Sequence, residues 1–169
     1  MRKEGFYMNE KELLELLSDK YQLQKVMDTN LKTKKFGLVL TAEDAKSLVE
    51  RRKEDMKEQQ RIEFGEGILP KLIFTFCDSP YIYQDNYVDT IIRLQEIFYS
   101  YKNEVMDELT DDELLDFMKN AFDGECKGSL EYLEETALEQ YARNVRKEGE
   151  SFFGKYYKIR GRGYADDEL

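Results

Sequence analysis

The stretch "TDDELLDFMKNAFDG", residues Thr110–Gly124, decides the fold class. Thr110 is a preferred N-cap. Glu113, three residues on, completes a capping box in which each side chain bonds the other's backbone N–H. Asp111, Asp112 and Glu113 set negative charge at the positive end of the helix dipole. Gly124 is a natural residue to follow the last turn.

The same grammar extends both ways. Upstream, "YVDTIIRLQEIFYSYKNEVMDEL" is opened by Asp85 or Asn86, and Val88, Ile91, Ile92, Gln95, Phe98, Tyr99, Lys102, Val105 and Met106 follow helical spacing. A second set, Tyr87, Leu94, Ile97 and Tyr101, widens the apolar arc, which predicts a helix buried on two sides. Downstream, Ser129 caps a helix whose face is Leu130, Leu133, Ala137, Leu138, Tyr141, Ala142 and Val145, and Arg143, Arg146 and Lys147 close it at the negative end of its dipole.

Before Tyr87, "FGEGILPKLIFTFC" places Pro70 near the start of a short apolar helix, where a missing N–H costs little, and Pro80 ends it. "TAEDAKSLVERRKEDMKEQQ" opens on Thr41 with Asp44. It carries a thin stripe of Ala45, Leu48, Val49 and Met56, and its face around Arg51–Lys57 reads as solvated. "LKTKKFGLVL", Leu31–Leu40, has no helical period and reads as a connector, briefly extended. "NEKELLELLSDKYQLQKVMDTN" is capped by Asn9 with Glu12 and reads as amphipathic, with Leu13, Leu16, Leu17, Leu23, Val26 and Met27 as its apolar line.

The expected architecture is all-α: a compact bundle of about six helices without a substantial sheet. Residues 1–8 read as a frayed lead-in and 9–150 as a single helical domain. Residues 151–169 read as an aromatic and basic tail, with Phe152, Phe153 and Tyr157 packing back and the last residues frayed.

Composition narrows the chemistry. None of the 169 residues is histidine, which removes Ser-His-Asp and Cys-His catalysis and imidazole metal sites. Two cysteines, Cys77 and Cys126, cannot build a cysteine-rich metal site. Net charge is −10, and residues 104–139 hold 13 acidic against 2 basic side chains, so one segment carries the excess. That surface disfavours nucleic acid and anionic membrane and suits a basic protein surface. No leader or membrane-length apolar run is visible, so a cytoplasmic setting with reduced thiols is expected.

Candidate sites follow from residue types. Cys77 sits at a helix C-terminus beside Asp78, where dipole and anion both oppose a thiolate. It reads as a helix-closing core residue. "DGECKGSLEYLE", Asp123–Glu134, falls in calcium-loop register, with Asp123, Gly128 and Glu134 at positions 1, 6 and 12. Lys127 stands where an oxygen ligand is needed, which leaves a degenerate EF-hand-like pair as an alternative only. Arg160-Gly161-Arg162-Gly163 with Tyr164 echoes RG-rich RNA-binding segments in one short copy.

The leading functional expectation is a non-enzymatic helical module that binds another protein. Its contacts would be Tyr81, Tyr83 and Tyr87 with Asp111, Asp112 and Glu113, since tyrosine combines apolar area with a hydroxyl. A homodimer is a further possibility. No catalytic residue, cofactor site or metal ligand is assigned. The alternative is a small-molecule binder or enzyme with a pocket holding Tyr83 or Tyr99 and a buried carboxylate.

The segments "RIEFGEGILPKLIFTFCDSPYIYQDNYVDTI", "EIFYSYKNE", "TDDELLDFMKNAFDG" and "CKGSLEYLEE" together resemble a family of small bacterial proteins of unknown function, found mainly in anaerobic Gram-positive bacteria. The resemblance spans Leu38–Arg146. It implies a bacterial, intracellular setting and carries over no activity or catalytic residue.

Overall fold

The structure, a computed structural model, describes residues 8–63 and 65–147. Among these residues it contains helices and loops and no strand, as the caps and periods predict. The chain divides into two compact units, with the boundary between Tyr99 and Ser100. The expected tail, residues 151–169, lies outside the described residues, as do residues 1–7 of the lead-in.

In the first unit, α1 (Glu10–Asp28) starts with its expected box. Asn9 Oδ1 accepts from the Glu12 N–H at 2.8 Å, and the Glu12 carboxylate accepts from the Asn9 N–H at 3.0 Å. The next segment is not the extended connector expected from its sequence. It folds into a single turn, α2 (Asn30–Thr33), and a 3₁₀ turn (Lys34–Phe36) that ends on Gly37 at φ +81°. Side chains hold this turn, and no apolar period announces it. Asn30 spans the N–H and C=O of Leu40 at 2.8 and 2.9 Å, and the Thr33 hydroxyl donates to the Leu38 carbonyl at 2.8 Å.

Helix α3 (Ala42–Glu58) begins with the Thr41/Asp44 box and buries Ala45, Leu48 and Val49. Arg52 and Asp55, expected on a solvated face, are buried instead, because they continue the Leu48 line at i+4 and i+7. Helix α4 (Leu69–Phe76) carries Pro70 in its first turn and is central, with Leu69, Leu72, Ile73 and Phe76 fully buried. Cys77 caps it as a buried thiol whose Sγ lies 3.3 Å from the Phe74 carbonyl. After a 3₁₀ turn at Gln84–Asn86 comes α5 (Tyr87–Glu104).

Helix α5 stops five residues before the expected end at Leu109. The buried Lys102 ammonium donates to the Leu109 carbonyl and pairs with Asp111 at 3.0 Å. This draws the chain back through Met106 and Asp107, which take positive φ values of 54° and 60°. In the second unit, α6 (Asp111–Asp123) has the capping box of Thr110 and Glu113 at 2.8 and 3.1 Å. Gly124 follows it but is not left-handed, at φ −93°. Lys127 and Gly128 take the positive φ, and the Gly128 N–H reaches back to the Phe122 carbonyl at 2.8 Å.

Helix α7 is capped by Ser129, opens at Leu130–Tyr132, widens to a π-turn at Leu133–Ala137 and continues as α-helix over 138–147. The π-turn has no signature in the sequence.

Candidate functional site

In the first unit a buried polar cluster joins α3, α5 and the loop after α3. Arg52 is 6% exposed, and its guanidinium meets the Glu63 carboxylate at 3.1 and 3.3 Å. The same carboxylate oxygen accepts from the Tyr99 hydroxyl at 2.6 Å. Burial pushes the Tyr99 phenol far above its ordinary value, and the adjacent Glu63 charge adds to that. Gly67, at φ +69°, lies so close that a Cβ would land on both Glu63 and Arg52. Asp55, one turn on from Arg52, is also buried, and its Oδ2 has no partner among the described residues. Burial pushes its carboxyl up to about 6. The Arg51 guanidinium works against this, and Glu96, Glu58 and Glu54 add to it.

This cluster fixes the loop, and the loop fixes the second half of α1. Gln22 Nε2 donates to the Gly65 carbonyl, the Tyr21 hydroxyl reaches Glu66 at 3.5 Å, and Lys25 pairs with Glu66 at 3.8 Å. Lys53 of α3 holds Asp19 at 3.0 Å. The core-facing line of α1 is therefore Gln22 and Val26.

The first half of α1 is different. Every residue from 8 to 18 is exposed. Leu13, Leu14, Leu16 and Leu17 are 44%, 61%, 42% and 52% exposed. Leu13, Leu16 and Leu17 belong to the expected apolar line, yet the structure does not bury them. The reason is helical phase. Leu13 and Gln22 are about two and a half turns apart, so they point to opposite sides. On the side facing α3, the first half of α1 offers Glu15, Ser18 and Asp19, which line a small hollow with Arg52 and Lys53. Leu16 and Leu23 line a second hollow of about 260 Å³ against Val49 and Lys46 of α3.

The expected contact residues divide. Tyr83 is 58% exposed and Tyr81 is half-buried, in the turn that Asn86 closes by accepting from the Tyr83 N–H at 2.8 Å. Tyr87 is fully buried and has no surface to offer a partner, because it opens the central helix α5 and not the turn before it. In the second unit, Glu113 serves the α6 capping box and Asp111 pairs with Lys102, while Asp112 is exposed. Of the two pocket tyrosines, Tyr99 lies in the buried cluster and Tyr83 does not.

The second unit has its own hollow of about 310 Å³ at the π-turn, lined by Glu125, Thr136, Gln140, Asn144 and the stacked rings of Phe117 and Tyr141, whose centroids are 3.8 Å apart. In the expected calcium-loop stretch, Asp123 pairs with Lys119 at 3.1 Å. Among the described residues no group of three or more Cys, Asp or Glu side chains could hold a metal ion. Among them, too, no helix is long and apolar enough to cross a membrane.

These features define an all-α protein with an internal polar latch and an uncovered leucine face. A family model described as "Family of unknown function (DUF6323)" matches residues 25–151, and the chain belongs to that family. No curated protein and no solved structure matches it. The exposed leucines of α1 lie before the matched residues.

Proposed function

We propose that the protein is a non-enzymatic interaction module that binds another protein through the first half of α1. The observation that carries this reading is the run Leu13, Leu14, Leu16 and Leu17, exposed on a capped helix that the loop at Gly65–Glu66 holds in place. Uncovered apolar area flanked by charge marks an interaction surface. A preformed helix binds without the entropy cost of ordering it. The partner this face suits is a second amphipathic helix with an apolar stripe and charges of both signs beside it. The proposed setting is the bacterial cytoplasm, with Cys77 and Cys126 both buried and neither in a disulfide.

The test is a photo-crosslinking residue placed at Leu17 in cells of the native host, with Glu43 of α3, also exposed, as the control position. A discrete covalent adduct to a protein at position 17, absent at position 43, is expected. The absence of any adduct specific to position 17 would overturn the reading.

A further inference from the structure

We propose that the first half of α1 pairs antiparallel with the same half of α1 in a second copy of this chain, across a two-fold axis level with Glu15. This rests on the interaction reading above and names its partner.

A two-fold interface must be self-complementary, because the same patch serves both copies. The segment "EKELLELLSDK", Glu10–Lys20, has that property about Glu15. In an antiparallel pairing centred there, Leu13 meets Leu17 of the second copy, and Glu10 meets Lys20. Each contact occurs twice.

Helical phase puts these residues on the correct side. At about 100° per residue, Glu10, Leu13, Leu17 and Lys20 form one line on the side of α1 away from Gln22 and Val26, with Lys20 at the edge of that line, where it also borders the hollow against α3. This line has the heptad spacing of three, four and three residues that antiparallel helix pairs use. Glu15, which would oppose itself at the axis, lies on the far side, toward α3, where it lines the hollow beside Arg52. Asp19 also faces α3 and is held by Lys53, so the pairing leaves that ion pair intact. Glu10, Leu13, Leu17 and Lys20 are all exposed.

The paired segment is about 16 Å long. A contact of that length belongs among small, transient interfaces, so the dimer should form in the micromolar range or above.

Sedimentation velocity on the full chain, from micromolar to near-millimolar, tests this with three variants: Glu10→Lys, Lys20→Glu and the two combined. The wild type should show a reversible monomer–dimer equilibrium. Each single reversal sets two like-charge pairs in the interface and should weaken the dimer by about tenfold. The double reversal restores opposite charges and should return the dimerisation constant to within about threefold of the wild type. Unchanged circular dichroism and melting temperature keep the comparison to one fold. A wild type that stays monomeric overturns the pairing. So does a dimer that is indifferent to the single reversals, or one that the double reversal does not rescue. If the purified chain is monomeric but position 17 crosslinks to a protein of another mass in cells, only the pairing fails. If there is neither dimer nor adduct, the interaction reading fails with it.

Discussion

The Tyr99 hydroxyl donates to the Glu63 carboxylate at 2.6 Å, and the same oxygen receives the Arg52 guanidinium at 3.1 Å. One carboxylate thus ties α5, α3 and the loop between α3 and α4 together inside the first unit. A hydrogen bond to a buried charge contributes more than a neutral one. Tyr99→Phe should therefore cost about 2 kcal/mol in chemical denaturation. Glu63→Gln leaves Arg52 buried without its counter-charge and should cost more, about 3 kcal/mol. If Tyr99→Phe is neutral, the latch does not carry the load assigned to it.

Gly65 and Gly67 share a φ of +69° but not their surroundings. A Cβ on Gly65 meets open space, whereas one on Gly67 meets the Arg52–Glu63 pair. Gly65→Ala should cost only the backbone term, about 1 kcal/mol. Gly67→Ala should cost about 3 kcal/mol or more, because it must also part a buried ion pair. Thermal melts of the two variants side by side check this, and equal shifts would refute the close packing of Gly67.

Much of the helical framework was legible because caps are local chemistry. Asn9, Thr41, Thr110 and Ser129 each accept from the backbone N–H three residues on, as their spacing predicts. What resisted reading was tertiary. The leucines of α1 fit an amphipathic period, but period does not say which side is covered, and the covered side carries Gln22. Arg52 and Asp55 look solvated by residue type, and only the fold shows them buried. Gln95 sits on the apolar line of α5 with both amide atoms buried and unpartnered among the described residues, a cost no pattern reveals. The latch joins residues 52, 63 and 99, which share no local motif.

Tyr101 should stabilise the π-turn. Its hydroxyl lies 2.5 Å from the Glu134 carbonyl and 3.2 Å from Glu139, both on α7. Burial, with Glu139 next, holds this phenol well above its ordinary value, so it remains a donor throughout the working pH range. A π-turn shifts the backbone ladder by one residue, here with the Leu138 N–H bonding the Leu133 carbonyl. The Tyr101 hydroxyl offers the Glu134 carbonyl a donor in that shifted ladder. Tyr101→Phe should lower stability by about 1–2 kcal/mol. Hydrogen exchange should speed up locally at residues 134–138. Unchanged protection there would show that the π-turn is held by packing alone.

Asp55 should make the protein less stable as pH rises. Its folded value of about 6 lies above the ordinary 3.8, because burial disfavours the charge. Between those two values the folded chain keeps a proton that the unfolded chain has released. The contribution is full below about pH 4 and is lost as pH climbs through about 6. A shift of that size corresponds to about 3 kcal/mol at most. Asp55→Asn keeps a neutral, similarly shaped side chain at every pH. Relative to wild type it should be nearly neutral at about pH 4 and stabilising by about 2 kcal/mol at about pH 7.5, measured as the difference in unfolding free energy. A difference that does not change with pH would mean that the Asp55 charge has a partner in the folded protein.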